Sequence, residues 1–271
     1  MNLSVLRVAA VQAESRAGDV RHNVAIAARW VAKAAAEDAP LVVLPELFLP
    51  GYDPKTLRED PDGCDVTVDD PRLGPLSEAA ASAGVTLVVG ASVREGERRL
   101  LSALVFSTTG DIAATYAKQH LWDAERGIFT PGTHGTSLVF RGWDLGLGIC
   151  YDGCFPEHAR AATDAGALVY VCPSAYVVGS EHRRDVYYAA RAIDNGIYVV
   201  FAGLVGPCGE LEFSGGTAVY DPQGRTLSRV ESGEGMVVVD LDPEAIAEAR
   251  RINPYERDRV SDTEPRHILP L

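Results

Sequence analysis

At 271 residues, 46% hydrophobic, with a formal net charge of −13 and five cysteines, the chain has the apolar content for a sizeable core and too much of it for a disordered chain. The acid excess argues against a nucleic-acid partner, whose phosphates need Lys and Arg, and against an anionic membrane surface. Five is an odd number and no disulfide density, so reduced thiols and a cytoplasmic location are expected; MNLSVLRVAAVQAESR has no signal-peptide build, and the longest apolar runs are too short to span a bilayer.

In chain order, VLRVAAVQ (5–12) reads as a buried strand. VRHNVAIAARWVAKAAAEDA (20–39) reads as an amphipathic helix, because Val24, Ile26, Ala27, Trp30, Val31 and Ala34 recur at helical spacing. LVVLP (41–45) is a strand stopped by proline, GPLSEAAASAG (74–84) a helix closed by glycine, and VTLVVGASV (85–93) a strand. EGER turns the chain into a strand over 99–108, and TGD turns it again into one over 111–118. After an irregular segment (119–137) come strands at TSLVF and WDLGLGIC, a helix from about Pro156 to Ala165, the strand ALVYVCPS and a helix over 180–195. The strand IYVVFAGLVG, a hairpin GTAVYDPQGRTLSRV with a type I turn at DPQG, the strand GMVVVDLD and the helix PEAIAEARRI complete the body; the tail 253–271 has no core pattern of its own. About a dozen strands are too many for one comfortable open sheet, so two packed sheets with helices outside are the natural solution, in a single α/β domain over 1–271.

Three reactive side chains stand at strand ends, where ligands gather in α/β folds. Glu46, in LVVLPELFLPGYDP, follows a buried strand and a proline; burial would raise its pKa toward that of a general base, whereas capping backbone N–H groups is the structural alternative. Lys118 ends a strand and enters a long loop, where a lysine is ordinarily solvated. Cys150 ends DLGLGIC, shortly before a helix begins at Pro156, where free N–H groups lower a thiol pKa or hold an oxyanion; taken alone it reads better as a buried strand cysteine. The other cysteines have plainer roles: Cys64 sits among acids that raise its pKa, Cys172 in a core strand, and Cys208 in a loop without an obvious partner. Cys150, Cys154 and His158 also suggest a metal site, but Pro156 breaks any shared helical face and a fourth ligand is missing.

Together LPELFLPGY, YAKQHLWDAERGIFTPG and GICYDGCFPEHAR resemble the three motifs of the nitrilase superfamily of carbon–nitrogen hydrolases. The likeness runs from about Leu6 to Asp242, taking in LRVAAVQAESRAGDVRHNV, YYAARAIDNGIYVVFAGLVG and GGTAVYDPQGR. The resemblance implies a four-layer α-β-β-α sandwich, a homodimer or larger homo-oligomer in which the 253–271 tail takes part, and a Glu–Lys–Cys triad at Glu46, Lys118 and Cys150. It implies a thioester mechanism without metal or organic cofactor, in which Lys118 and the backbone N–H of Tyr151 hold the oxyanion. It places a second glutamate at Glu125, in a positioning or proton-handling role. Tyr52, Trp122 and Tyr176 flank the motifs and are expected as pocket walls for a small amide or N-carbamoyl substrate. Amide hydrolysis leads, N-carbamoyl amine hydrolysis follows, nitrile hydrolysis ranks lower, and a catalytically silent binding member is the reading from another class. Two features depart from relatives: Cys154 stands where they often carry arginine, and His182, Arg183 and Arg184 face either a polar substrate or solvent.

Overall fold

A computed structural model describes residues 3–260. The first sheet is built from β1 (Leu6–Gln12), β2 (Leu41–Val43), β3 (Asp65–Val66), β4 (Thr86–Glu95), β5 (Arg98–Phe106) and β6 (Ile112–Ala117). The second begins with β7 (Ser137–Phe140), β8 (Trp143–Leu147), β9 (Val169–Ser174) and β10 (Tyr198–Gly203). A separate ribbon, β11 (Val205–Cys208) and β12 (Leu211–Ser214), interrupts it before β13 (Ala218–Tyr220) and β14 (Thr226–Arg229) close it. β15 (Gly235–Leu241) returns to pair antiparallel with β1 in the first sheet. The sheet orders are β15-β1-β2-β4-β5-β6, with β3 on β4, and β14-β13-β10-β9-β8-β7. The described residues thus hold fifteen strands rather than about a dozen; short pieces such as β3 and the β11–β12 ribbon carry too little alternation to stand out in sequence.

Helices α1 (Val20–Ala36), α2 (Pro54–Glu59), α3 (Pro61–Cys64) and α4 (Gly74–Ala83) belong to the first half; α1 and α4 pack on each other, and α4 reaches β5. α5 (Pro156–Asp164) and α6 (Glu181–Asn195) lie on the second sheet, against β8 and against β10 and β13. α7 (Pro243–Ile252) and the short α8 (Tyr255–Asp258) end the described chain; residues 261–271 of the expected tail lie outside it.

The two sheets face each other, β1 on β10 and β4 on β9. Alternation decides what each side chain meets, since successive residues of a strand point to opposite faces. On β10, Tyr198, Val200 and Ala202 join the core between the sheets, whereas Val199 and Phe201 join a second core against α5 and α6. β9 divides its residues the same way, Val169 and Val171 inward, Tyr170 and Cys172 toward the helices. Burial on both faces is why these runs read as continuously apolar. β1, β2 and β4 run parallel, as do β8, β9 and β10. β6 also runs with β4, through the antiparallel β5.

Candidate active site

The segment after β2 carries Glu46 across β4. Leu44 N donates to Val88 O at 2.8 Å, Gly90 N to Pro45 O at 3.0 Å and Leu49 N to Gly90 O at 3.0 Å. A Cβ at Gly90 would lie 2.3 Å from the Leu47 nitrogen, so glycine alone admits the crossing. The result is a carboxyl with no solvent exposure. Lys118 follows β6, its N–H donating to Leu101 O and its carbonyl accepting from Gly132 N, both at 2.8 Å.

The Lys118 ammonium has three donor positions and uses each on a buried carboxylate. It donates to Glu46 Oε1 at 2.6 Å and to Glu125 Oε1 and Oε2 at 2.7 and 2.9 Å. Glu125 also accepts from Tyr52 O–H at 2.5 Å and from the backbone N–H of Trp122 at 2.7 Å. The second glutamate therefore touches the lysine directly and is fixed from three sides. Tyr52, expected as a pocket wall, is also part of this hydrogen-bonded set.

The charges within the cluster act on one another. Burial raises Glu46 to about 7; Glu125 adds to the rise, while the Lys118 ammonium and the Cys150 thiol pull it down. Burial works against the Lys118 ammonium, but Glu46 and Glu125 outweigh it and hold the amine well above its ordinary value. Glu46 Oε2 is buried without a hydrogen-bond partner at normal geometry. Burial, then Glu46, pushes the Cys150 thiol well above its usual value, so it rests protonated. The site therefore holds a neutral thiol beside a carboxyl that titrates close to neutrality.

Cys150 itself is not the last residue of a strand, as its sequence suggests. β8 stops at Leu147, and Cys150 opens a tight 3₁₀ turn over Cys150–Cys154 with φ +42°. Left-handed backbone is uncommon for a residue with a Cβ and needs support from its surroundings. Asp152 gives part of it, accepting from Ile149 N at 3.0 Å and from Tyr116 O–H at 2.7 Å. Its other oxygen accepts from the backbone N–H of His120 at 2.9 Å and meets His120 Nδ1 at the same distance. Burial pushes Asp152 up, but His120, His158 and Tyr116 outweigh it, so it stays below the ordinary carboxylate range.

This cluster also settles the place of His158. It does not join Cys150 and Cys154; it sits between Tyr116 O–H at Nε2 (2.8 Å) and Tyr170 O–H at Nδ1 (2.9 Å). The Tyr116 O–H donates to Asp152, so Nε2–H donates to the Tyr116 oxygen and Nδ1 accepts from Tyr170. Burial lowers the imidazole pKa, in keeping with this neutral tautomer. His120, Asp152 and His158 are the one group among the described residues spaced to hold a metal, their ligand atoms lying within 4.8 Å of one another. The hydrogen bonds just described already engage Asp152, both nitrogens of His158 and Nδ1 of His120, so the cluster reads as a brace for the turn.

Cys150 and Lys118 open into a cavity of about 110 Å³. One water needs roughly 10–15 Å³ on this measure, so the space suits a molecule of several heavy atoms. All three expected wall residues line it: Tyr52, Tyr176 and Trp122, the last 45% exposed at the surface. Tyr151 and Cys154 line it too, and Cys154 Sγ lies 3.4 Å from Tyr176 O–H. The run His182–Arg184 divides: Arg183 reaches the cavity wall, exposed His182 does not line it, and buried Arg184 donates to Asp185 and Gly215 instead. The sequence reading missed Val177, Tyr187, Leu211 and Phe213. The last two come from β12, whose four residues LEFS are too few to signal a strand or a pocket wall. Of the remaining cysteines, Cys208 does have a neighbour, Ser15 Oγ at 3.8 Å. Cys64 is raised to about 11 by burial first and by Asp60 and Asp65 second.

The family model described as carbon–nitrogen hydrolase matches residues 7–251. The chain is 34% identical to an (R)-stereoselective amidase of a Pseudomonas species, covering 94% of this chain and 91% of that one. It is 32% identical to the deaminated glutathione amidase of Escherichia coli O157:H7, over 88% and 91% of the two chains. Among solved structures, a single-substitution mutant of the amidase from Nesterenkonia sp. AN1 superposes with a TM-score of 0.82 at 31% identity, covering 96% of this chain and 98% of that one. In that structure the acetamide moiety of fluoroacetamide is covalently attached to the active-site cysteine.

Proposed function

The chain belongs to the carbon–nitrogen hydrolase family and is a hydrolase of non-peptide C–N bonds, and from this premise we propose that it cleaves small primary amides with Glu46, Lys118 and Cys150 as its catalytic triad. The observation that carries the reading is the buried Lys118 ammonium bridging Glu46 and Glu125 beside the Cys150 thiol at a small cavity. Cys150 Sγ attacks the amide carbon as Glu46 takes the thiol proton. The oxyanion forms against the Lys118 ammonium and the Tyr151 N–H. Glu125 accepts two of the three ammonium protons, so one can turn to the oxyanion while the lysine stays bound to both acids. Glu46 returns its proton to the leaving ammonia and then activates the water that hydrolyses the thioester. A general base works best with a pKa near the working pH, and burial brings Glu46 to about 7.

The same reading includes a single catalytic domain, a cytoplasmic location and association into a homo-oligomer. Val186 and Ile193, exposed on α6, support the last; among the described residues no helix is long and apolar enough to cross a membrane. The deciding experiment measures ammonia release from a panel of primary amides, N-carbamoyl amines and nitriles, with quenched intact-mass analysis. Turnover highest on amides, with an acyl adduct on the Cys150 peptide, is expected. Preference for N-carbamoyl amines would transfer the substrate to that class, and no turnover with no adduct would favour a silent binding protein.

The base has its own test. Glu46→Gln is expected to lower kcat/KM about 10²–10⁴-fold, the contribution of a positioned general base. In the wild type, kcat/KM should rise with pH through about 7, because Glu46 accepts a proton only when ionised. The glutamine variant should lose that limb, and a variant that keeps it would remove Glu46 from the role of base.

A further inference from the structure

Tyr188 lies on α6, outside the three motifs, yet its hydroxyl donates to the carbonyl oxygen of Cys150 at 2.9 Å. A carbonyl can only accept, so the phenolic proton is committed to it. The other partners approach the hydroxyl oxygen: Ser174 Oγ at 3.0 Å and Cys172 Sγ at 3.7 Å. Tyr188 has no solvent exposure, and its ring is held against Phe201 at 4.5 Å between centroids. It also fills the space above Gly153 in the nucleophile turn, where an added Cβ would lie 2.7 Å from Tyr188 Cε1. Burial holds the phenol well above its ordinary pKa, so it remains a donor throughout the working range.

The bonded carbonyl shares a peptide unit with the N–H of Tyr151. That unit is planar and trans, so its C=O and N–H point in opposite directions. Fixing the oxygen on Tyr188 therefore aims the N–H the other way. Among the described residues no backbone acceptor takes the Tyr151 N–H, and both Cys150 and Tyr151 line the cavity. The backbone at Cys150 is left-handed, a conformation that its own φ/ψ preference does not hold in place. Resting on the assignment of Cys150 and Tyr151 in the preceding section, we propose that Tyr188 is a positioning residue: by holding the Cys150 carbonyl, it orients the peptide whose N–H receives the oxyanion. Asp152, through Ile149 N, braces the entry to the turn; Tyr188 sets the orientation of the peptide that follows the nucleophile.

The test separates the oxyanion from the thiol. Tyr188→Phe keeps the ring and removes the donor. With the amide that the wild type turns over fastest, kcat is expected to fall about 10- to 100-fold, with KM within about 3-fold. Alkylation of Cys150 by iodoacetamide, a displacement at a saturated carbon that develops no oxyanion, should stay within about 2-fold of wild type. Inhibition by the corresponding aldehyde, whose thiohemiacetal oxygen takes the oxyanion position, should weaken in parallel with kcat. A near-wild-type kcat, or an alkylation rate that falls as far as turnover, would overturn the inference while leaving the triad assignment in place. Wild-type turnover that survives Cys150→Ala would overturn both. If the phenylalanine variant aggregates, Ser174→Ala withdraws a partner from the same hydroxyl; a kcat-selective loss of about 2- to 10-fold, one hydrogen bond's worth, is then expected, and no loss refutes the proposal.

Discussion

Cys150→Ala is expected to reduce kcat/KM on the best amide by about 10⁵-fold or more, the scale seen when a nucleophile is removed from a unit that acts together. No other thiol in the chain is placed to substitute. Burial raises Cys64 to about 11 and Cys172 to about 12, and it raises buried Cys208 as well. Cys154 shares the cavity, but burial keeps its thiol protonated and Tyr176 O–H is its hydrogen-bond partner. Among the described residues no carboxylate hydrogen-bonds to it. Chloroacetamide should therefore add once to the wild type and, over the same time, not to the alanine variant, read by intact mass. The substitution removes one small, partly buried atom, so stability should stay within about 1 kcal/mol of wild type. Retention of more than a tenth of the activity by a folded Cys150→Ala protein would end the thioester mechanism.

How far the sequence could be read depended on whether the signal was local. Glu46 stood out because an acid directly follows a buried strand and a proline, and the structure buries it completely. Two packed sheets followed from the strand count, too high for one open sheet. The apolar runs of β9 and β10 could not say more, because their alternate residues feed two different cores. The turn at Cys150 was misread as a strand end for a non-local reason. Its left-handed backbone depends on Asp152, Tyr116 and Tyr188, brought together from a strand, a turn and a distant helix. Arg183 and Arg184 are neighbours in sequence with opposite fates, one on the cavity wall and one buried against Gly215, and only the helix orientation separates them. Phe213 enters the cavity from a ribbon whose pairing with β11 no single-strand pattern reveals.

Lys118→Met is expected to abolish turnover, by at least about 10⁴-fold, and to destabilise the protein by about 3–5 kcal/mol, the cost of breaking a buried charge pair from one side. Glu46 and Glu125 both depend on this ammonium. Without it, burial and Glu125 would drive Glu46 above its present value of about 7, so at neutral pH it would be protonated and unable to act as a base. The sign of the stability effect follows. A carboxyl whose folded pKa lies above its unfolded value of 4.5 contributes fully below that value and loses its contribution as pH rises through the folded pKa. The deficit of the variant should therefore be small near pH 5 and grow toward pH 8, measured by denaturant unfolding across that range. Adding Glu46→Gln to Lys118→Met removes the stranded carboxylate, and the double variant should recover stability at pH 8 without recovering turnover. The two substitutions then couple strongly in stability, as expected for residues in direct contact. If the single variant matched wild type in stability at pH 8, Lys118 would not be the counter-ion on which this site is built, and its part in holding the oxyanion would lose its structural basis.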